Sequence, residues 1–279
     1  MDERARHGAV PVIAGVAVLA GVLGVGYAFA AALITSPQEA PEWLVARPIA
    51  HRGLHTGDAR VPENSLAAFR AAADGGHPLE LDVHLSADGV AVVFHDATLE
   101  RMTGDPRPVA EVTSEELAGL RLLGSDEHVP TLADVLALVE GRVPVLVEIK
   151  QRGEVGVLER AVLDDLRGYP GEYAIQSFNP YTLAYVRTAD PRVVRGQLSG
   201  TFADEDLPGW QVFALRNLLL NWTSRPAFIA FELEGLPTWG TSLQQARGRP
   251  LLAWTPDDPE SFERAQRLCD GIIFDPGAF

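Results

Sequence analysis

Apolar and polar positions along the chain fall into two different regimes. Residues 8 to 35, GAVPVIAGVAVLAGVLGVGYAFAAALIT, carry no charge at all. That run exceeds the roughly 20 residues a helix needs to cross a hydrocarbon core, and it predicts a transmembrane helix. A cleavable leader is the rival, favoured by the small-residue AFA at 28–30, but the apolar region of such leaders usually spans only about 7–15 residues. From Arg47 onward the pattern changes to short β-rich runs: PIAHR, LELDVHL, VAVVFHD, VPVLVEI, AIQSF, VVRGQL, AFIAFEL, PLLAWT and GIIFD. Helical stretches lie between several of them, notably NSLAAFRAAADGG, with an Asn or Ser cap and a terminal Gly pair, TLADVLALVEG and DPESFERAQRLCDG. Alternation of this kind predicts a mostly parallel sheet with covering helices. The runs number nine, one more than a simple barrel needs. The second and third are joined only by SADG, too short for a helical crossover, so they form a hairpin or an extended return.

These patterns divide the chain into an N-terminal stub (1–7), the anchor (8–35), a Pro-containing linker (36–46) and one α/β domain (47–279). Residues 97–130 are polar and turn-rich, and read as an insertion over the mouth of the domain. Arg4 and Arg6 precede the anchor and no Lys or Arg follows it until Arg47, which places the N-terminus in the cytoplasm and the domain outside it.

The ends of the strand runs carry the chemistry. Glu80 and Asp82 are two apart in LELDVHL, and Glu148 and Lys150 are two apart in VLVEIK. On a strand, that spacing puts both members on one face about 6–7 Å apart, with Leu81, Val83 and Ile149 on the packed face. Three carboxylates gathered at two strand ends make a hard-oxygen cluster suited to Mg2+ or Ca2+, where Zn2+ would favour His and Cys. His51 and His95 close their own apolar runs, so they should reach the same rim and suit acid/base work near neutral pH. Arg52 offers a planar fork for phosphate or carboxylate, and could instead pair with Glu63 or Asp96. His55, His77, His84 and His128 fall in loops or at outward positions and are expected to be solvated.

Composition sharpens two points. The formal charge of −15 disfavours a nucleic-acid partner, and an anionic ligand would need local cations to hold it. Of 23 basic residues 22 are Arg, and the single Lys is Lys150, which suggests a place where a compact ammonium is required. The one cysteine, Cys269, excludes an intrachain disulfide and is expected to serve packing.

Beyond these readings, an ordered set of motifs resembles the glycerophosphodiester phosphodiesterase family. The set is His-Arg-Gly at 51–53, Pro-Glu-Asn-Ser at 62–65, Glu-x-Asp-Val at 80–83, Asp-Gly at 88–89, His-Asp at 95–96, TLERMTG, Glu-x-Lys at 148–150 and Trp-Thr at 254–255. It is dense up to Lys150 and thin after it. The resemblance implies a TIM-type (β/α)8 barrel with a small insertion after the third strand, and hydrolysis of glycerophosphodiesters to glycerol 3-phosphate and an alcohol. It further implies that Glu80, Asp82 and Glu148 are metal ligands, that His51 and His95 are the acid/base pair, and that Arg52 and Lys150 contact phosphate. Phe94 and Trp254 become candidates for the substrate pocket. Where the family commonly has WTVN and GIITD, this chain has Pro256 and Asp257 after Trp-Thr, and Phe274 before Asp275, which bears on the alcohol pocket. Two other readings are a membrane-tethered phospholipase D-like or lysophospholipid phosphodiesterase, and an inactive barrel serving as an envelope binding or scaffold module.

Overall fold

The structure is a computed structural model that describes residue 26, residues 38–276 other than 152 and 204, and residue 278. Apart from Gly26 the expected anchor lies outside the described residues, as does the stub 1–7. Among the described residues no helix is long and apolar enough to cross a membrane.

The described residues form nine strands: β1 (Ile49–Ala50), β2 (Leu79–Leu85), β3 (Ala91–Val93), β4 (Val145–Ile149), β5 (Tyr173–Ser177), β6 (Val194–Ser199), β7 (Phe228–Glu232), β8 (Leu251–Trp254) and β9 (Gly271–Phe274). Eight pair in parallel in the order β1-β2-β4-β5-β6-β7-β8-β9, and β9 pairs back to β1 to close a barrel. This is the TIM-type architecture. The ninth, β3, is antiparallel to β2 (Val83↔Val93, Leu85↔Ala91), so SADG closes a hairpin. Its place follows from the shortness of β1: that strand pairs with β2 only at Ala50↔Leu79, leaving the far half of the same β2 edge open for β3.

Strand alternation sorts side chains into two layers. Leu79, Leu81, Val83, Val145, Val147, Ile149 and Ile175 face outward into a core shared with Phe69, Ala72, Leu136 and Val139 of the helices Leu66–Asp74 and Leu132–Val139. Those helices begin where expected, with Ser65 accepting from the Ala68 N–H and Thr131 forming a reciprocal cap with Asp134. The alternate residues Ile49, Leu146, Ala174, Phe228, Ala230, Leu252 and Ile273 fill the barrel axis, joined by Trp43 and Leu44 from the short helix Trp43–Ala46. Gly196 is required there, because a Cβ would lie 2.1 Å from the Phe228 ring. The plug sits at the N-terminal strand ends: a Cβ on Gly271, the first residue of β9, would meet the Leu44 carbonyl oxygen at 2.5 Å. With that end closed, only the C-terminal ends of the strands remain for a site.

The 97–130 insertion has a small core of its own. Leu99, Met102, Val109, Val112, Leu117, Leu122 and Val129 pack on Val92 and Phe94. Phe94 is thereby buried beneath the insertion and does not line the cleft at the barrel mouth. The expectation that it belongs to the substrate pocket is corrected, since Val92 and Phe94 share the face that the insertion covers.

Candidate active site

The same alternation that sends Leu81 and Ile149 outward turns Glu80, Asp82 and Glu148 inward at the mouth, and the β2–β4 register sets Asp82 opposite Glu148. All three carboxylates are buried, and each offers an oxygen within 4.8 Å of the others. Two cations flank them. Lys150 Nζ lies 2.7 Å from Glu148 Oε1 and 3.1 Å from Asp82 Oδ1. Arg52 Nε lies 3.4 Å from Asp82 Oδ2, its Nη1 donates to Glu63 Oε1 at 2.8 Å, and its backbone N–H donates to Glu80 Oε2 at 3.0 Å. Of the two acids open to Arg52, then, Glu63 is the partner. Asn64 adds an amide N–H to Asp82 Oδ2 at 2.9 Å.

The loop after β1 is shaped for these contacts. Arg52, Gly53 and Asn64 all hold positive φ. At Gly53 no other residue fits, because a Cβ would meet the Ala68 backbone at 2.8 Å.

Charge is distributed unequally over the three acids. Burial, reinforced by Asp82 and Glu148, raises the Glu80 carboxyl well above the carboxylate range. Burial also raises Glu148, against the pull of Lys150. For Asp82 burial acts the same way, but Lys150, His95, Arg52 and His51 outweigh it and hold its carboxyl far below that range. Three buried acids, two of them with raised pKa values, share the Lys150 ammonium and the Arg52 guanidinium and still lack positive charge. Hard oxygens in that state suit a hard divalent cation.

Both expected histidines reach this rim, and each leans on an aspartate. His51 Nδ1 is 2.7 Å from Asp275 Oδ1, and His95 Nδ1 is 2.7 Å from Asp96 Oδ1. Burial lowers the pKa of His51, partly offset by Asp275. Burial, with the Lys150 and Arg52 charges, lowers His95 to about 4. Each ring is neutral at pH 7, donates Nδ1–H to its carboxylate and presents the Nε2 lone pair. Asp96 and Glu63 are both held by Arg101, at 2.6 Å each, so a continuous ionic chain runs from His95 through Asp96, Arg101, Glu63 and Arg52 to Asp82.

Two other histidines are corrected. His55 is buried with Nε2 3.4 Å from Asp275, and His84 is buried with Nε2 3.0 Å from the His95 carbonyl oxygen. His55 thus contacts the aspartate that holds His51, His84 contacts the backbone of His95, and neither is solvated. Asp275, Asp96 and Asn64 were not singled out for these roles in the sequence. Asp275 and Asp96 do end the runs GIIFD and VAVVFHD, the same strand-end signal that marked the histidines.

A cleft of about 1060 Å³ opens over the cluster, lined by His51, Arg52, Glu80, His95, Glu148, Lys150 and, across the mouth, Trp254. The Trp254 indole N–H is buried with no acceptor among the described residues, which leaves it for a ligand oxygen.

Comparison with known proteins gives a consistent answer. The model of the Glycerophosphoryl diester phosphodiesterase family matches residues 51–276. A glycerophosphodiester phosphodiesterase of Caldanaerobacter subterraneus subsp. tengcongensis is 32% identical over 235 residues, covering 79% of this chain and 92% of that protein. Among solved structures, an Oleispira antarctica phosphodiesterase in complex with the product sn-glycerol-3-phosphate is similar with a TM-score of 0.70 at 25% identity, over 84% of this chain and 94% of that one. A Thermotoga maritima glycerophosphodiester phosphodiesterase gives a TM-score of 0.65 at 26% identity, over 83% and 96%.

Proposed function

The chain belongs to the glycerophosphoryl diester phosphodiesterase family and hydrolyses glycerophosphodiesters to glycerol 3-phosphate and an alcohol; we propose that it does so with Mg2+ or Ca2+ held by Glu80, Asp82 and Glu148 and with His51 and His95 as the acid/base pair. The observation that carries this reading is the buried carboxylate triad, flanked by Arg52 and Lys150, with two carboxylate-supported imidazoles at the same rim. A bound cation would supply Lewis-acid stabilisation of the phosphoryl oxygens. Arg52 and Lys150 stand where negative charge builds on a pentacoordinate phosphorus, and both are pre-positioned by buried partners. One histidine accepts the proton of the attacking hydroxyl, either water, which gives glycerol 3-phosphate directly, or the neighbouring glycerol hydroxyl, which gives a cyclic phosphodiester that water then opens to glycerol 3-phosphate as the bond from phosphorus to that hydroxyl oxygen breaks and the oxygen is reprotonated. The phosphodiester anion raises the pKa of the other ring, which takes up a proton and passes it to the departing alcohol oxygen.

An inactive scaffold would have no use for this set of groups. Incubating the full chain with glycerophosphocholine should release choline and glycerol 3-phosphate in equal amounts, and release of neither would reject the reading. The apolar segment 8–35 supports a single-pass anchor with the barrel outside the cytoplasm. Protease added to intact spheroplasts should then degrade the barrel, whereas full protection until lysis would reverse that topology.

A further inference from the structure

In a chain of net charge −15, an arginine buried without an acidic partner runs against the trend. Arg195 is such a residue. It is the second residue of β6, where strand alternation sends Val194 and Leu198 toward the barrel axis and Arg195 outward. There β6 is covered by the helix Pro180–Ala189 and the one-turn helix Asn221–Ser224, which also pack against each other. The Arg195 side chain is fully buried. Its Nη1 donates to the Val193 carbonyl oxygen at 2.6 Å and its Nε weakly to the Ser224 carbonyl oxygen at 3.4 Å, while Nη2 has no acceptor. Burial, helped by the Arg187 charge, pushes its pKa down to about 10, and among the described residues no carboxylate acts in the other direction. The guanidinium is therefore still charged at pH 7, and a buried charge without a counter-charge is costly.

Other unpaired donors surround it. Arg187, on the last turn of Pro180–Ala189, and Arg225, directly after Ser224, each bury an Nε that has no acceptor. Asn221 and Ser224 lie three residues apart on one face of their helix, both buried, and neither Asn221 Nδ2 nor Ser224 Oγ has a partner. Exposed arginines close by behave differently, since Arg192 pairs with Asp190 and Arg167 with Asp164. Where the three elements meet there are thus three guanidinium groups, two neutral donors and no acid. An oxyanion would complete that set, and the planar fork of arginine matches phosphate oxygens.

We infer that Arg187, Arg195 and Arg225, with Asn221 and Ser224, form a second anion site that takes a phosphate group. It lies on the outward face of β6 near its N-terminal end, away from the catalytic carboxylates, and it takes no part in the hydrolysis. The Val193 carbonyl oxygen that accepts from Arg195 also accepts from Gln38 Nε2 at 2.8 Å, and Gln38 follows the apolar segment 8–35 by three residues. A barrel anchored by that segment would present this corner to the bilayer, so the phosphate can belong to a phospholipid headgroup or to a free ion.

Thermal unfolding of the full chain in phosphatidylcholine nanodiscs and EDTA is followed as inorganic phosphate replaces chloride at constant ionic strength. Two variants are compared with the wild type. One combines Arg187→Gln with Arg225→Asn, at two half-buried positions, asparagine being suited to the positive φ of Arg225. The other is Arg195→Met. All three proteins keep the catalytic mouth intact, so phosphate bound there shifts them alike. At phosphate ten times its Kd the wild type should gain about 3–6 °C in Tm, and each variant less than half of that. Phosphatidylglycerol nanodiscs identify the source. A Tm raised there without phosphate, in the wild type alone, assigns the site to a headgroup; a Tm equal to that in phosphatidylcholine, with the phosphate response kept, assigns it to the free ion. No gain from either phosphate or phosphatidylglycerol, or a gain shared equally by the wild type and the double variant, would overturn the inference and leave the phosphodiesterase reading standing.

Discussion

Removing the single lysine is the perturbation with the most separable consequences. Lys150 Nζ contacts Glu148 Oε1 at 2.7 Å and Asp82 Oδ1 at 3.1 Å, and its side chain is only 16% exposed. Burial works against the ammonium, but Asp82, Glu148 and Glu80 raise its pKa above the ordinary lysine value. A cation with a raised pKa contributes stability that is complete below its unfolded value and is lost only as pH climbs through the folded one, so at pH 7 the contribution is fully present. Breaking a buried ion pair from one side typically costs about 3–5 kcal/mol. In Lys150→Met the cost should fall at the lower end, near 3 kcal/mol, because Glu80 and Glu148 already lie above the usual range and one of them can take up a proton. For a domain of this size about 3 kcal/mol corresponds to roughly 6–12 °C in Tm. Thermal unfolding in EDTA should therefore show a Tm lower by about that amount at pH 8, with a smaller deficit at pH 5. Added Mg2+ or Ca2+ should raise Tm further in the variant than in the wild type, since one more unit of negative charge faces the ion. Activity should fall about 10²-fold or more with metal saturating, and Lys150→Arg should not restore it, because a guanidinium spreads its charge over a bulkier fork. A Tm within about 1 °C of wild type in EDTA, together with near wild-type kcat for Lys150→Arg, would refute this account of the lysine.

Glu80→Gln, Asp82→Asn and Glu148→Gln should each weaken metal binding about 10-fold or more in a calorimetric titration, by the scale at which disturbing a ligand's support acts; an unchanged isotherm would remove that residue from the ion. In the metal-free protein His95 titrates near 4 against an ordinary 6.5, so the neutral ring contributes stability that is complete above about pH 6.5 and lost as pH falls through about 4. His95→Gln should flatten that acid limb of Tm against pH, and an unchanged limb would assign it to another group.

Much of this site was legible because strand periodicity carries position as well as type. Glu80, Asp82, Glu148 and Lys150 are separated by single apolar residues, so their common inward face followed once LELDVHL and VLVEIK read as strands. Lys150 stood out by composition alone. Barrel closure was harder, since nothing local in PIAHR says that β1 is two residues long and yields half of the β2 edge to β3. The bracing of His51 by Asp275 spans 224 residues and depends on that closure. The burial of His55 and His84 is not local information: the loop after β1 folds down onto the mouth and β3 pairs over the end of β2, so neither a loop position nor an outward strand position means exposure. Phe94 was misplaced for a related reason: its neighbour His95 reaches the mouth, but Phe94 shares the face of Val92 that the insertion buries.

The requirement is for a divalent cation at Glu80, Asp82 and Glu148 in phosphodiester hydrolysis at this mouth. It is tested most directly by stripping the full chain with EDTA and following glycerol 3-phosphate from glycerophosphocholine while Mg2+ or Ca2+ is titrated back, alongside Asp82→Asn. No release is expected from the stripped protein, with recovery on readdition and no recovery in Asp82→Asn at ion concentrations that saturate the wild type. Full activity retained in excess EDTA, or equal recovery in Asp82→Asn, would contradict it.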